Sequence, residues 1–421
     1  MLLEKIELFS SKKDFFIFLS IAFILFFYAL LMEYHNFKKF SYFDSTTIKA
    51  DVIKQYKKTN DTKTYQILKL KTQKGFSFYT SAKKDLPSVI GQKVVLKIAT
   101  TKISFYNYLT TFYAPSKVLS IDQNISFKQK VNLYISQIHP DKKIASLYQA
   151  LYTATPLSSD LQTKFSTLGV SHLLAISGFH LAVLAGVLFF MFKFPYGYLQ
   201  QHYFPYRSYR IDSFLFIALV LFGYVLFLDS PPSLVRAFTM MLIGFFLYDR
   251  GYKIISMQTL FITTVLLLSI FPRLFFSLGL WLSVLGVFYI FLFLIHFKHI
   301  NKIWQFILVP FWVYLMMLPF SVYLFENFSI YHPLSVLWST LFSLFYPLSI
   351  LLHLLGLGDL FDPILSVFLD LSSSNKMVFL SSFFLSIHLG LSLLSVFYQR
   401  AIYFLVIEVF FIFGYCLYCL E

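Results

Sequence analysis

Apolar positions along this chain follow two patterns. Unbroken runs of membrane-spanning length recur, and between the first and second of them one stretch alternates instead. The first run, Phe15–Met32, is too long for a signal-peptide core and lacks a small-residue cleavage site, so it reads as an anchor. Further runs lie at about 169–192, 213–229, 234–249, 257–272, 274–295, 303–325, 330–355, 378–397 and 401–420. The runs at 234–249 and 257–272 are short enough to be half-spanning. The pattern predicts a polytopic α-helical membrane protein of about 9–10 transmembrane helices.

Residues 44–122 change character. Ile48, Ala50 and Val52 alternate with polar residues, as do Val94, Leu96 and Ile98. Breaks at Asn60-Asp61, Gly75, Pro87 and Gly91 look like turns, which gives about five short strands and a small inserted β-domain, OB-like in expectation. Residues 126–155 keep a helical apolar spacing (Phe127, Val131, Ile135, Ile138, Leu147, Leu151) interrupted by Lys128, Lys130, Lys142 and Lys143. This predicts either an amphipathic helix on the membrane surface, broken near Pro140, or a plain linker helix. The domains expected are therefore an N-terminal anchor (1–40), the β-domain (44–122), the amphipathic helix (126–155) and a transmembrane domain (165–421).

Composition removes the soluble classes: 58% of the 421 residues are hydrophobic. The two cysteines, Cys416 and Cys419, both lie in the last apolar run and form no disulfide framework. Charge is unevenly placed. The chain carries +15, and the segment Lys38–Lys143 holds 20 Lys, no Arg and 6 Asp, which is +14 of it. Coding bias accounts for Lys over Arg but not for this confinement. With the N-terminus cytoplasmic and the β-domain outside, the inner side holds Lys5, Lys12, Lys13, Lys193, Arg207, Arg210, Arg250, Lys253, Lys298, Lys302 and Lys376, whereas the short outer loops hold only Arg273 and Arg400.

Polar residues inside the second run are the candidate chemistry. Groups at membrane depth are costly and usually face a bundle interior or a solvated path. On a continuous helix with His172 at zero, His180 falls at about 80° and Ser177 at about 140°, with Ser171, Ala175, Gly178, Ala182 and Gly186 opposite. That gives a polar arc facing a passage and a small-residue stripe for close helix packing. In Asp229-Ser-Pro-Pro-Ser-Leu-Val-Arg236, two prolines break the chain, Ser233 can cap the next helix, and Arg236 either lines a pore or snorkels to the outer interface. A catalytic role is not expected: Ser177 and His180 are three residues apart, with no G-x-S-x-G elbow, and a G-x-S-G motif would need Gly at Ala175. No metal or cofactor is expected either, because no carboxylate or Cys accompanies His172 and His180.

Ser171-His-Leu-Leu-Ala-Ile-Ser-Gly-Phe-His180 resembles the signature of ComEC-type competence proteins, the inner-membrane DNA channels of natural transformation. The resemblance extends to Pro232-Ser-Leu-Val-Arg-Ala237, Phe276-Ser-Leu-Gly-Leu-Trp-Leu-Ser-Val-Leu-Gly286 and Pro319-Phe-Ser-Val-Tyr-Leu-Phe-Glu-Asn-Phe-Ser-Ile-Tyr-His-Pro-Leu334, and covers about 145–421. It implies a bacterial inner-membrane location, a periplasmic OB-like domain and translocation of single-stranded DNA, with room for a homo-oligomer. Many relatives begin with two helices, where one is evident here. Many also end in a metallo-β-lactamase-like domain; no His-x-His-x-Asp-His cluster occurs in this sequence, so nuclease activity is not expected to carry over.

Residues and resemblance meet on mechanism. Unspecific single-strand binding takes a basic groove with aromatic platforms. Lys54, Lys57, Lys58, Lys63, Lys69, Lys71 and Lys74 stand beside Tyr56, Tyr65, Phe76, Phe78 and Tyr79, either as that surface or as solvated lysines around an aromatic core. No G-x-x-x-x-G-K-[ST] occurs, so the partners expected are the lipid bilayer, a periplasmic DNA receptor and a cytoplasmic DNA-binding or motor protein. A transporter of another anionic polymer or lipid, and less so an intramembrane hydrolase, are the alternatives.

Overall fold

The computed structural model describes residues 9 and 11–420, except 61, 62, 73, 85, 88, 123–125, 175, 253 and 372–375. Lys5, Asp61, Ala175 and Lys253, which enter the sequence reading, lie outside the described residues. The chain forms two compact units: Lys12–Leu157 with Leu266–Ser277, and Ser158–Val265 with Leu278–Glu421.

The first unit opens with α1 (Lys12–Phe40), whose 29 residues reach about 43 Å, enough to cross a bilayer core of about 30 Å. Its sides are almost wholly exposed apolar surface, as a lipid-facing helix requires; only Ala22, Phe37 and Phe40 are buried. The strands follow: β1 (Ser45–Asn60), β2 (Lys63–Thr72), β3 (Ser77–Ala82), β4 (Lys93–Ala99), then α2 (Phe105–Leu109), β5 (Thr111–Tyr113) and β6 (Ser116–Ile121). Their order is β5-β3-β2-β1-β4-β6, antiparallel except for the parallel β3–β5 pair. β5 and β6 are joined only by Ala114-Pro115, and Ala114 N–H donates to the Tyr79 carbonyl while Thr80 Oγ1 meets Ser116 Oγ at 2.8 Å. The two ends of the sheet therefore meet. The expected turns at Gly75 and Gly91 are present, with φ of +86° and +76°, values only glycine takes freely.

Alternation sends Val52, Leu68, Leu70, Phe78, Val94, Leu96 and Ile98 inward, where Phe37 and Phe40 from α1 join them. Beside this core Arg273 makes a bidentate ion pair with Glu33 of α1 (2.7 and 2.8 Å) and lies 4.5 Å over the Tyr108 ring. Burial pushes the Tyr108 hydroxyl above its ordinary pKa. Residues 126–155 form a helical hairpin, α3 (Phe127–Ile138) and α4 (Lys142–Thr153). The expected break is there, with His139 ending α3 and Asp141 capping α4. The single surface helix is not, because α4 is largely buried: Ile144, Leu147, Tyr148 and Leu151 are enclosed.

The second unit runs through α5 (Ser159–Thr167), α6 (Ser171–Leu174), α7 (Gly178–Tyr203), α8 (Tyr209–Phe227), α9 (Pro232–Asp249), α10 (Met257–Ile270, whose end belongs to the first unit), α11 (Leu278–His296), α12 (Lys302–Phe325), α13 (Ser335–Leu354), α14 (Asp362–Asp370), α15 (Ser382–Phe397) and α16 (Gln399–Tyr418). Among the described residues seven helices are long and apolar enough to cross a membrane: α1, α7, α8, α11, α12, α13 with its preceding turn, and α16. This is fewer than the 9–10 expected. α10 and α15, with 14 and 16 residues, reach only about 21 and 24 Å. The run expected from residue 378 becomes helix only at Ser382, capped by Ser381, because Val378 still follows the Lys376–Met377 strand, with its N–H on the Glu326 carbonyl.

Candidate translocation site

The signature segment is not one helix. α6 ends at Leu174, and α7 begins at Gly178 with Ser177 as its N-cap. Ser177 Oγ accepts from Phe179 N–H (3.2 Å), and His180 Nδ1 accepts from the Ser177 N–H (3.2 Å), a capping box with histidine in the third position. The arc drawn on a continuous helix is therefore corrected: Ser177 sits at the break and His172 on a separate turn of helix. A chain interrupted at membrane depth is tolerated where protein surrounds it or where it lines a cavity, and such breaks hold the substrate sites of many transporters.

The two histidines still converge, on one face of α13. His172 Nε2 meets Ser339 Oγ at 3.0 Å, and the His180 ring packs edge-on against Phe342 (5.2 Å) and Tyr346 (4.7 Å). Residues 339, 342 and 346 are three and four apart, hence on a single stripe of that helix. His172 is exposed apart from its contact with Ser339. His180 is fully buried. Its Nδ1 takes the Ser177 amide, so its hydrogen resides on Nε2, and no acceptor in bonding geometry among the described residues reaches that atom.

α9 closes the group. Ser233 Oγ donates to the Ile176 carbonyl (2.8 Å), fastening the start of α9 to the break. Gly178 lets the two helices pack closely there, since a Cβ would lie 3.0 Å from the Ala237 Cβ. The same hypothetical Cβ would lie 3.7 Å from Arg236 Nη2, so the guanidinium reaches the start of α7. Arg236 is 3% exposed, and neither Nε nor Nη1 has a partner among the described residues. The head group is enclosed by protein and not at a surface. An unpaired buried guanidinium is costly unless an anion completes it. The stripe holds only in part: Ala182 and Gly186 are exposed, and nothing lies within 4 Å of a Cβ at Gly186.

On the sheet the lysines divide. β1 and β2 pair Lys54 with Lys69 and Lys58 with Tyr65, while Lys71 lies opposite Asp51. All of these point away from the core, as do Tyr56 and Tyr79, with Lys54 Nζ 5.7 Å from the Tyr56 ring and Lys69 Nζ 5.5 Å from that of Tyr79. Lys57 pairs with Gln66 on the other side of the ribbon, and Lys74 stands in the β2–β3 turn. Phe76 and Phe78 are core residues, 1% and 0% exposed, and offer no stacking platform.

Ser339, Phe342 and Tyr346 escaped the sequence reading, because nothing in the pattern marks that face of α13. Ser233, expected as a cap, lies inside α9 instead: the N-cap is Pro231, with no side-chain cap bond, and the Ser233 hydroxyl donates to Ile176. Two of the four sequence blocks meet here, residues 171–180 and 232–237, while 319–334 is tied to α5 just ahead of them through His332 Nε2 on the Ser166 carbonyl (3.0 Å). No curated protein and no solved structure matches the chain. The profile of the family described as "Competence protein" matches residues 153–419, well over half of the chain and all of the helical site, and the chain belongs to that family.

Proposed function

We propose that this membrane protein passes single-stranded DNA inward during natural transformation, along a path beside the α6–α7 break. The observation that carries the reading is Arg236, a buried cation with no acidic partner among the described residues, next to His180 Nε2, which has no acceptor in bonding geometry among them. A phosphodiester is an anion with several acceptor oxygens and would satisfy both. Only two such donors at one point favour passage over tight retention, as conduction requires. The closing sheet, with its order and the parallel β3–β5 pair, supports an OB-like assignment, and its outward Lys54, Lys58, Lys69 and Lys71 with Tyr56 and Tyr79 suit a first contact with a bare strand. Charge asymmetry supports an inner-membrane orientation with the sheet in the periplasm. The force comes from elsewhere, from a cytoplasmic motor or DNA-binding partner, with a periplasmic receptor delivering the strand.

One contact favours the hydrolase alternative: Ser177 Oγ lies 3.2 Å from His180 Nδ1. Nδ1 already accepts an amide hydrogen, however, and Nε2 has no carboxylate to orient it, so the pair is a cap and not a nucleophile with its base. Ser177→Ala separates the two. A conduit keeps transforming at a level set by protein abundance, whereas a hydrolase loses its activity outright. The direct test of the conduit is uptake of end-labelled DNA in cells lacking the protein, in which DNA should still enter the periplasm but not the cytoplasm.

A further inference from the structure

Away from the break, α11, α12, α15 and α16 enclose a second polar group inside an apolar core of Phe293, Trp312, Met316, Phe320, Leu405 and Val409. His388 of α15 is fully buried, and its Nδ1 lies 2.8 Å from Glu408 Oε2 in the middle of α16. Its Nε2 lies 3.0 Å from the Met316 carbonyl and 2.9 Å from Tyr289 Oη, which in turn meets Ser392 Oγ at 2.7 Å. The other carboxylate oxygen, Glu408 Oε1, is buried without a partner. No Lys or Arg pairs with Glu408 among the described residues. The facing titratable groups are Tyr289 from α11 and His388 from α15. α12 brings the Met316 carbonyl, and its Tyr314 lies by Cys416, two turns farther along α16.

The geometry points to Glu408 and His388 as a proton-binding site within the helix bundle. A carbonyl oxygen can only accept, so a hydrogen on Nε2 serves the Met316 carbonyl, whereas a bare Nε2 would accept from Tyr289 Oη. In the first arrangement the short Nδ1–Oε2 contact needs one further proton. With that proton the pair is neutral overall, either as imidazole and carboxylic acid or as imidazolium and carboxylate. Without it, the imidazole hydrogen must leave the Met316 carbonyl for Nδ1, Nε2 must accept from Tyr289 Oη, and the pair carries a net negative charge in an apolar interior with no donor on Oε1 to compensate. A lone acid in an apolar span is expensive, and intramembrane acid–histidine chains are typical of proton paths. The site makes no use of DNA and stands apart from the strand path.

The test uses the full chain in lipid nanodiscs without DNA, with N,N′-dicyclohexylcarbodiimide as the probe. A protonated carboxyl gives its proton to a carbodiimide nitrogen while its oxygen bonds the central carbon, and acyl shift leaves a stable N-acylurea. Nothing is oxidised. Peptide mapping should find the adduct on Glu408 but not on Glu326, exposed at the end of α12. Yield should fall at least about tenfold along an alkaline pH series, which is the loss expected from one decade of deprotonation. Glu408→Gln, whose amide can donate to Nδ1 in place of the acid, should elute as wild type and give no adduct at 408. If Glu408 in the folded wild-type protein stays unmodified at every pH, or reacts equally at all of them, the proton site is overturned, whatever the variant does. DNA uptake enters neither result, so the strand-path reading stands or falls separately.

Discussion

Arg236 offers the sharpest perturbation. Its guanidinium is 3% exposed, with Nε and Nη1 unpartnered among the described residues. A phosphate about 4 Å away would gain about 4 kcal/mol at an effective dielectric constant of about 20. Arg236→Gln forfeits that gain, equivalent to roughly a thousandfold in strand occupancy at about 1.4 kcal/mol per decade. Arg236→Glu turns attraction into repulsion of similar size, so transformation should fall to background. Stability should move the other way. Replacing an uncompensated buried charge with a neutral side chain of similar volume is neutral or stabilising by about 1–4 kcal/mol, so Arg236→Met should accumulate at least as well as wild type. The assay is transformation frequency normalised to membrane-resident protein, together with melting of the purified variants. Normal transformation with Arg236→Glu, or loss of folded Arg236→Met in proportion to lost transformation, would refute the reasoning and make Arg236 a structural residue.

Four further outcomes follow from particular contacts. Gly178→Leu must push α7 from α9 at a Cβ separation of 3.0 Å, costing about 1–3 kcal/mol and lowering folded yield, while Gly186→Leu meets nothing within 4 Å and should accumulate normally. Replacing Lys54, Lys58, Lys69 and Lys71 with Gln should flatten the salt dependence of single-stranded DNA binding by the full-length protein by about 0.7 in log–log slope per lost phosphate contact, and replacing Lys57 with Lys74 should change it less. Glu33→Gln weakens the bidentate clamp on Arg273, which should cost about 1–2 kcal/mol, read as a lower melting temperature. A cysteine at Lys58 should react with an impermeant thiol reagent once the outer membrane is permeabilised, and one at Arg210 should not; position 207 is avoided because Arg207 is paired with Asp212 at 2.7 Å.

The membrane class and the β-domain were legible because each rests on a period that burial imposes over many residues. The break in the signature helix was not, since Ile176, Ser177 and Gly178 sit in a run whose hydropathy is indifferent to a bend. A Ser followed three residues later by His resembles a capping box, but the usual sequence rule asks for Glu or Gln there. Phe76 and Phe78 were read as possible platforms, although pairing of Phe78 with Leu70 sends it inward with the core. Pairing register decides this, and one strand's sequence does not contain it. Glu408 was readable as the one acid within the last apolar run, but its partner His388 becomes a partner only when α15 and α16 pack together.

Cross-linking of a strand in transit tests the central claim most directly. A photoreactive residue at His172, exposed beside the break, is illuminated in living cells while labelled DNA with one blocked end is held in passage. The same residue at Phe404, on an exposed face of α16, serves as control. A DNA adduct at 172 and none at 404 is the result predicted here. DNA reaching the cytoplasm with no adduct at 172, or with equal adducts at both positions, would contradict a path along the α6–α7 break.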